Sequence, residues 1–508
     1  MGELRRDRRA GLALFVFLSA IYLGTAPGRI TYPDDEIVFQ TTESLWLRGE
    51  LAIDGIPKRT GEPRHLPDGT FGWAEGRDGR RYGFFGHALS VVALPAYALA
   101  DATAERVPST WRHAIRSDHY FFHVRGPRAD WTRLVVSLTN TWVTALTAAL
   151  LFAWLRVLAI GRAPALATAL AYGLGTIAWA YTRTFLSEPL SALVLTASAL
   201  MIARHQQGGP GERAPWLWGA GLLAGLAAHV HVLNLSVVPC LIGYAMLPLA
   251  RGGRLAADRR AWIGALALGG LALAGLGLDQ ALRFGSPLET GRYGHYSHFV
   301  APWAGIAALL VAPGRSLFLF APAVTLGLGG ARELARRVPA VAWFALSMVA
   351  LRTIVIACRS DWYGGWAIGP RHLVPVLPMA VVPLALVWER WPARGTAWRA
   401  GMVAAHAGAV GLSGYLASRS IFEWLFAVGG SPTLRASGFG LMEASHWQVW
   451  ANPIVGFIEL QPDMLAVGAW RLAERGHPGL LMVFGGIAGV GAVALAVLVR
   501  ALVRERRA

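Results

Sequence analysis

Residues 478–499 read PGLLMVFGGIAGVGAVALAVLV, twenty-two positions without a charge, and Arg500, Arg504, Arg506 and Arg507 follow closely. A helix needs about twenty apolar residues to cross the ~30 Å hydrocarbon core of a bilayer. This stretch meets that length, and its arginine flank is the kind that stays on the cytoplasmic side. Working outward, comparable apolar segments recur at 11–26, 132–155, 163–182, 188–203, 215–232, 233–249, 261–282, 316–331, 338–358, 372–388 and 400–417, which makes twelve spans. Composition agrees: of 508 residues 55% are hydrophobic and 15% charged, with a mean hydropathy of +0.43. A soluble protein of this size carries more surface charge.

The net charge of +17 is almost all arginine, with Lys58 the one lysine. Such a balance raises nucleic-acid binding as an alternative. The arginines, however, fall in short clusters between apolar runs, where they orient helices in a bilayer, so nucleic acid is set aside. Cys240 and Cys358 lie far apart beside apolar runs and read as packing residues; no cysteine or histidine spacing suits a metal. The basic start followed by an apolar run over 11–26 could be a cleaved signal peptide, but without a clear small-x-small site it reads as a retained first helix.

Two further segments, 86–100 and 300–312, are apolar but short. The positive-inside rule decides them. If neither crosses, the cytoplasmic tails and loops hold twenty-two arginines and the short outside loops six; a crossing at 86–100 would reverse that bias. Both are therefore expected to lie along the membrane or to re-enter it. The expected architecture is an all-α polytopic helical bundle forming one membrane domain over 1–508, with cytoplasmic termini. Two long outside stretches, 27–131 and 418–477, are expected to carry juxtamembrane helices. In the second, Trp424, His446, Trp447 and Trp450 suggest an interfacial position.

The outside segments concentrate polar residues. Tyr32-Pro33-Asp34-Asp35-Glu36 follows the first span; adjacent acids raise at least one pKa, and such a carboxylate suits general-base work. A solvated turn with Pro33 as a stop explains the same string without function. Tyr82 to His87 offers glycines for close backbone approach and a histidine. Arg183 and Glu188 flank a tight turn and either pair together or present a guanidinium to phosphate. Arg283 to Tyr293, Pro313 to Ser316, and Arg359 to His372 follow. The last, RSDWYGGWAIGPRH, combines arginines for an anion with aromatic faces for a sugar or isoprenoid. Inside the spans, His229, His231, Asp279 and Arg352 are costly in lipid and are expected to face a cavity or a partner; Asp279 and Arg283, one turn apart, form a natural pair.

These strings resemble the GT-C superfamily of membrane glycosyltransferases, in the branch of protein O-mannosyltransferases and aminoarabinose transferases. YPDDE resembles that family's acidic motif after the first helix. RTFLSEP, RFGSPLETG, APGRSLFLFAP and WYGGWAIGPRHLVPVLP look like segments of its bacterial members. The resemblance implies inverting transfer of a sugar from a polyprenyl-phosphate donor to a glycan, lipid or protein acceptor at the outer face of a bacterial inner membrane. Asp35 would be the base, with Glu36 positioning and Asp34 an alternative; Asp35→Asn would then abolish turnover. Donor-binding candidates are His87, Arg183, Glu188, Arg292, Arg315, Arg359, Asp361, Trp362, Arg371 and His372, with Arg183, Arg359 and Arg371 at the lipid phosphate. No cofactor follows with certainty; a divalent metal has room beside three acids but is not expected. Two other readings stand beside this one. A secondary transporter would show repeated halves, which the chain lacks. A non-catalytic lipid- or glycan-binding relative leaves the 359–371 string unexplained.

Overall fold

The computed structural model describes residues 2–54, 72–108, 127–209, 213–251, 258–292, 297–460, 466–469 and 478–505. Each of the twelve apolar segments carries helix. Among the described residues seven helical stretches are long and apolar enough to cross a membrane: Glu3–Thr25, Arg128–Val157, Arg259–Phe284, Pro339–Ala357, Arg371–Glu389, Thr396–Ala417 and Leu481–Ala501. The chain is a multi-pass membrane protein.

The other five segments fall short of that standard for readable reasons. Ala214–Val230 and Val232–Leu247 are shorter apolar helices. The segment expected at 163–182 splits into Arg162–Leu174 and Ala178–Tyr181, and that at 316–331 breaks before Pro322, whose ring removes a backbone donor. Glu188–Gln207 is continuous but starts on a buried carboxylate and ends on Arg204 and His205.

The bundle packs around buried aromatics. The Tyr244 and Phe344 rings stack at 4.5 Å, and Trp154 meets Phe344 edge-on at 6.0 Å. The first helix, Gly2–Thr25, lies against the last, Pro478–Glu505.

The segment expected to lie flat at 86–100 forms two short helices, Ala88–Val92 and Leu94–Thr103, and 300–312 forms the nine-residue helix Trp303–Val311. The stretch 27–131 also contains Pro33–Arg48 and an element the sequence reading did not anticipate. This is a small antiparallel hairpin pairing Trp73 with Gly83 and Glu75 with Arg81. Lys58 lies outside the described residues.

The stretch 418–477 folds into Ile421–Gly430, Pro432–Ser437, Leu441–Trp447 and Val455–Leu460. The helices expected there are present, but Trp424 and His446 are buried in packing rather than set at an interface. These helices cover the ends of the spanning ones, and the site lies beneath them.

Candidate functional site

Three consecutive acids open the helix Pro33–Arg48, and a helix start turns consecutive side chains about 100° apart. Each therefore meets a different neighbour. Asp34 faces a cavity of about 290 Å³. Its Oδ2 accepts from Arg371 Nη1 at 3.0 Å.

Asp35 turns back under Tyr32, whose backbone N–H donates to Asp35 Oδ2 at 3.4 Å, the reciprocal bond of a helix N-cap. Asp35 is fully buried, and its Oδ1 has no hydrogen-bond partner among the described residues. Burial pushes its carboxyl well above the usual carboxylate range, and neighbouring Asp34 pushes the same way; the Phe185 and Tyr32 amides and Arg371 oppose the rise.

Glu36 points to the opposite side, toward helix Pro127–Ser137. There Arg133 Nε donates to its Oε2 at 2.9 Å and Nη2 to its Oε1, with Gln40 adding a bond at 3.2 Å. Arg133 also stacks 4.4 Å above the Phe39 ring. This is a buried fork-to-fork ion pair that fastens the outer loop to the second span. Arg133 was absent from the sequence reading. Its position near the start of a span, with an acid elsewhere needing a partner, is the signal that was there to use.

The far wall of the cavity is the loop 359–372. Gly364 and Gly365 take positive φ of 75° and 69°, a turn that L side chains resist. It folds Arg371 back so that its Nε donates to Glu188 Oε1 at 2.6 Å while Nη1 reaches Asp34. Glu188 and Arg371 are thus one buried pair joining two of the expected segments.

His372 lines the same cavity, is 3% exposed, and among the described residues has no hydrogen-bond partner on either ring nitrogen; Glu188 Oε1 is 3.7 Å from its Nδ1. Behind it Arg352 donates from Nε to the His372 carbonyl at 3.1 Å and from Nη1 to Asn234 Oδ1 at 3.2 Å. The intramembrane arginine therefore supports the site's wall.

The remaining arginines divide by what they hold. Arg359 forks onto Asp361, Nε to Oδ1 at 2.8 Å and Nη2 to Oδ2 at 2.6 Å, and Ser297 Oγ donates to Oδ1 at 2.8 Å. Burial raises the Asp361 carboxyl, but the Arg359 and Arg292 charges outweigh it and hold the group below the usual range.

Arg292 also lines the cavity. Its side chain bonds Asp361 Oδ2 at 3.4 Å, and its Nε is buried without a partner among the described residues. It sits over the Phe84 and Phe85 rings at 5.4 and 5.8 Å, and among the arginines at the cavity it is the least committed.

Arg183 and Arg315 are placed otherwise. Arg183 donates to the carbonyls of Thr25 and Arg419 at 3.1 and 2.9 Å and to that of Ala466. Arg315 reaches the Gly369 and Gly365 carbonyls at 3.0 and 3.2 Å, that of Ala367, and His446 Nε2 at 3.2 Å. Burial pulls both guanidiniums down to about 10, which leaves them charged at neutral pH. They pin loops, and neither is among the residues lining the cavity.

Trp362 packs on Tyr363 and His446, ring centroids 5.7 and 5.2 Å away, rather than on the cavity. Burial first, and then Arg315, pull His446 down to about 2, so this ring is a neutral packing partner. His87 sits at a second, smaller cavity of about 40 Å³, separated from the first by Phe84 and Phe85. Its Nδ1 is 3.6 Å from Asp279 and its Nε2 3.4 Å from His229; burial lowers its basicity more than Asp279 restores it.

Of the expected residues, then, Asp34, Arg292, Asp361, Arg371 and His372 share the main cavity, with Glu188 directly behind. Phe422 and Met442 close it from the stretch 418–477. The packing of Phe422 against Tyr32 and Trp366, at 5.3 and 5.8 Å, brings three distant segments together. Nothing in the local sequence around Met442 marks it.

Among the described residues no group of three His, Cys, Asp or Glu side chains converges as a metal site would.

No protein-family profile matches the sequence, and neither does any curated protein. Solved structures do match. ArnT from Cupriavidus metallidurans in the apo state aligns with a TM-score of 0.50 and 12% identity, over 91% of this chain and 77% of that chain. The structure of ArnT from the same organism bound to undecaprenyl phosphate aligns with a TM-score of 0.48 and 11% identity, over 92% and 78%. The chain shares its overall fold with apo ArnT. Here residues of the long first stretch (Tyr32, Asp34, Phe84, Phe85) and of the 359–372 loop (Asp361, Tyr363, Arg371, His372) line one cavity.

Proposed function

We propose that this protein is a glycosyltransferase that moves a sugar from a polyprenyl-phosphate-linked donor to an acceptor on the extracytoplasmic side of the membrane. One observation carries the reading. A single cavity sets a carboxylate, Asp34, opposite cations on Arg371 and Arg292, with aromatic faces from Phe84, Phe85, Tyr363 and Trp366 around them. The GT-C fold supports it, and a polyprenyl phosphate is the lipid in the ArnT complex of the same fold.

In the proposed step an acceptor hydroxyl attacks the anomeric carbon from the face opposite the phosphate, with inversion. The carbon–oxygen bond to phosphate breaks, and its electron pair stays on the leaving phosphate. The hydroxyl proton passes to the Asp34 carboxylate. The departing phosphate gains charge, and fixed cations aimed at that charge favour the transition state over the ground state. Arg292, with its unpartnered Nε, is proposed to take the phosphate. His372, with both ring nitrogens unpartnered and buried, is proposed to bond a sugar hydroxyl.

Asp34 is favoured over Asp35 because its oxygens reach the cavity, whereas Asp35 is turned into the N-cap and burial favours its neutral form. Glu36 is consumed by Arg133. The test is release of polyprenyl phosphate from a panel of polyprenyl-phosphate sugars by the purified protein in nanodiscs. The reading expects one donor class to turn over in wild type and to bind without turnover in Asp34→Asn. Absence of binding by every donor would overturn it.

A further inference from the structure

The segment 299–312, FVAPWAGIAALLVA, has no charged side chain, and no part of the proposed chemistry uses it. Its helix, Trp303–Val311, turns Gly305, Ala308 and Leu309 inward and leaves Trp303, Ala304, Ala307 and Val311 exposed. Phe299 just before it is 86% exposed, Trp303 75% and Val311 73%. An outward face this apolar is poorly matched to water.

A Cβ on Gly305 would stand 2.7 Å from Ala357 Cα, so the helix lies tight against the last turn of the membrane-spanning helix Pro339–Ala357. That spanning helix likewise exposes large apolar side chains, Trp343, Leu346 and Ile354. Nine residues rise only about 14 Å, under half of the ~30 Å hydrocarbon core, so the helix stays within one leaflet. Tryptophan at its first turn suits the interface.

Both flanks of this helix hold the site loop. Before it, Phe299 pairs with Arg359 in an antiparallel bridge, Val300 N donates to the Cys358 carbonyl at 2.7 Å, and Ser297 Oγ bonds Asp361. After it, Arg315 clamps the carbonyls of Gly365 and Gly369.

We infer that helix Trp303–Val311 is embedded in the leaflet on the cavity side, with lipid acyl chains as its partner. It braces loop 359–369 at both ends, so the geometry of the Arg359–Asp361–Arg292 cluster depends on the bilayer. The bracing half rests on the transferase reading; the embedding half does not.

The experiment uses the full chain in nanodiscs. On a Cys240→Ala, Cys358→Ala background, a nitroxide is attached at Ala307→Cys, with Ala304→Cys on the same face should the first fail to fold. Power saturation is compared between molecular oxygen, which concentrates in lipid, and a nickel chelate, which stays in water. Embedding expects relaxation by oxygen to dominate; dominance by the chelate overturns the inference. The second readout is affinity for polyprenyl phosphate. Ala307→Lys is expected to weaken it about tenfold while the apolar Ala307→Leu keeps it. A label in lipid with unchanged Ala307→Lys affinity overturns the bracing. Failure of wild type to bind polyprenyl phosphate counts against the transferase reading instead, with the nitroxide result still deciding the embedding.

Discussion

The two ends of the bundle use arginine in opposite ways. At the end carrying the start of the first helix, Arg5, Arg6, Arg8, Arg9, Arg332, Arg336 and Arg394 are exposed, and pairs such as Arg337 with Glu333 sit in solvent. At the cavity end, Arg133, Arg183, Arg315, Arg359 and Arg371 are all buried, and each is held by carbonyls or carboxylates. The first set meets solvent, and the second holds loops and carboxylates in place around the cavity. Counting charge thus locates one face and says little of the other, because an exposed cation is worth at most about 1 kcal/mol. A buried one dictates where every neighbouring oxygen must lie.

Predictions follow from pressing on this contrast. The largest effect is expected at the acid the cavity presents: Asp34→Asn should lower turnover about 10²- to 10⁴-fold with donor binding kept, read as polyprenyl phosphate release. If Asp35→Asn were instead the dead variant, the assignment among the three acids would move. Next, Arg133→Met strands a buried Glu36 and should cost about 3–5 kcal/mol, measured by thermal unfolding in one detergent. Arg292→Gln should weaken polyprenyl phosphate binding by about tenfold, in line with one charge-assisted hydrogen bond, and leave unfolding nearly unchanged.

Asp35 provides a pH test. Its folded pKa lies above its unfolded value of about 3.9, so the folded state holds the proton more tightly. That contribution to stability is fully present below the unfolded pKa and is lost as pH rises through the folded one. A melting-temperature profile should therefore decline with rising pH in wild type relative to Asp35→Asn, and a parallel pair of profiles would remove the argument. Smallest of all, Arg336→Gln at the exposed end should change stability by no more than about 0.5 kcal/mol; a larger loss would break the contrast itself.

Much of the fold was legible because apolar length is a sequence property. The twelve apolar segments all carry helix, and the two doubtful segments form short helices. The GT-C resemblance carried by five short strings agrees with the observed fold. Less legible was which spans are continuous, since breaks at Pro322 and before Ala178 depend on what packs alongside.

The candidate site was legible as segments but not as side chains. YPDDE and the 359–372 loop do meet. Yet which of three adjacent acids faces the cavity depends on where helix Pro33–Arg48 starts, a matter of one residue. Likewise Arg183 and Arg359 read alike as guanidiniums; only the tertiary structure shows one spent on carbonyls and the other on Asp361.

The closure of Arg183 has a consequence for how the molecule is made. Its carbonyl partners come from Thr25, Arg419 and Ala466, and Gly468 N bonds the Ala26 carbonyl at 2.8 Å. A ribosome delivers residue 466 long after residue 25 has entered the membrane. The first helix must therefore wait in the bilayer, its C-terminal end unfinished, through nearly the whole of synthesis. A chain stopped short of that point has every residue of the cavity from Tyr32 to Met442 and still lacks the clasp that closes that end of the first helix.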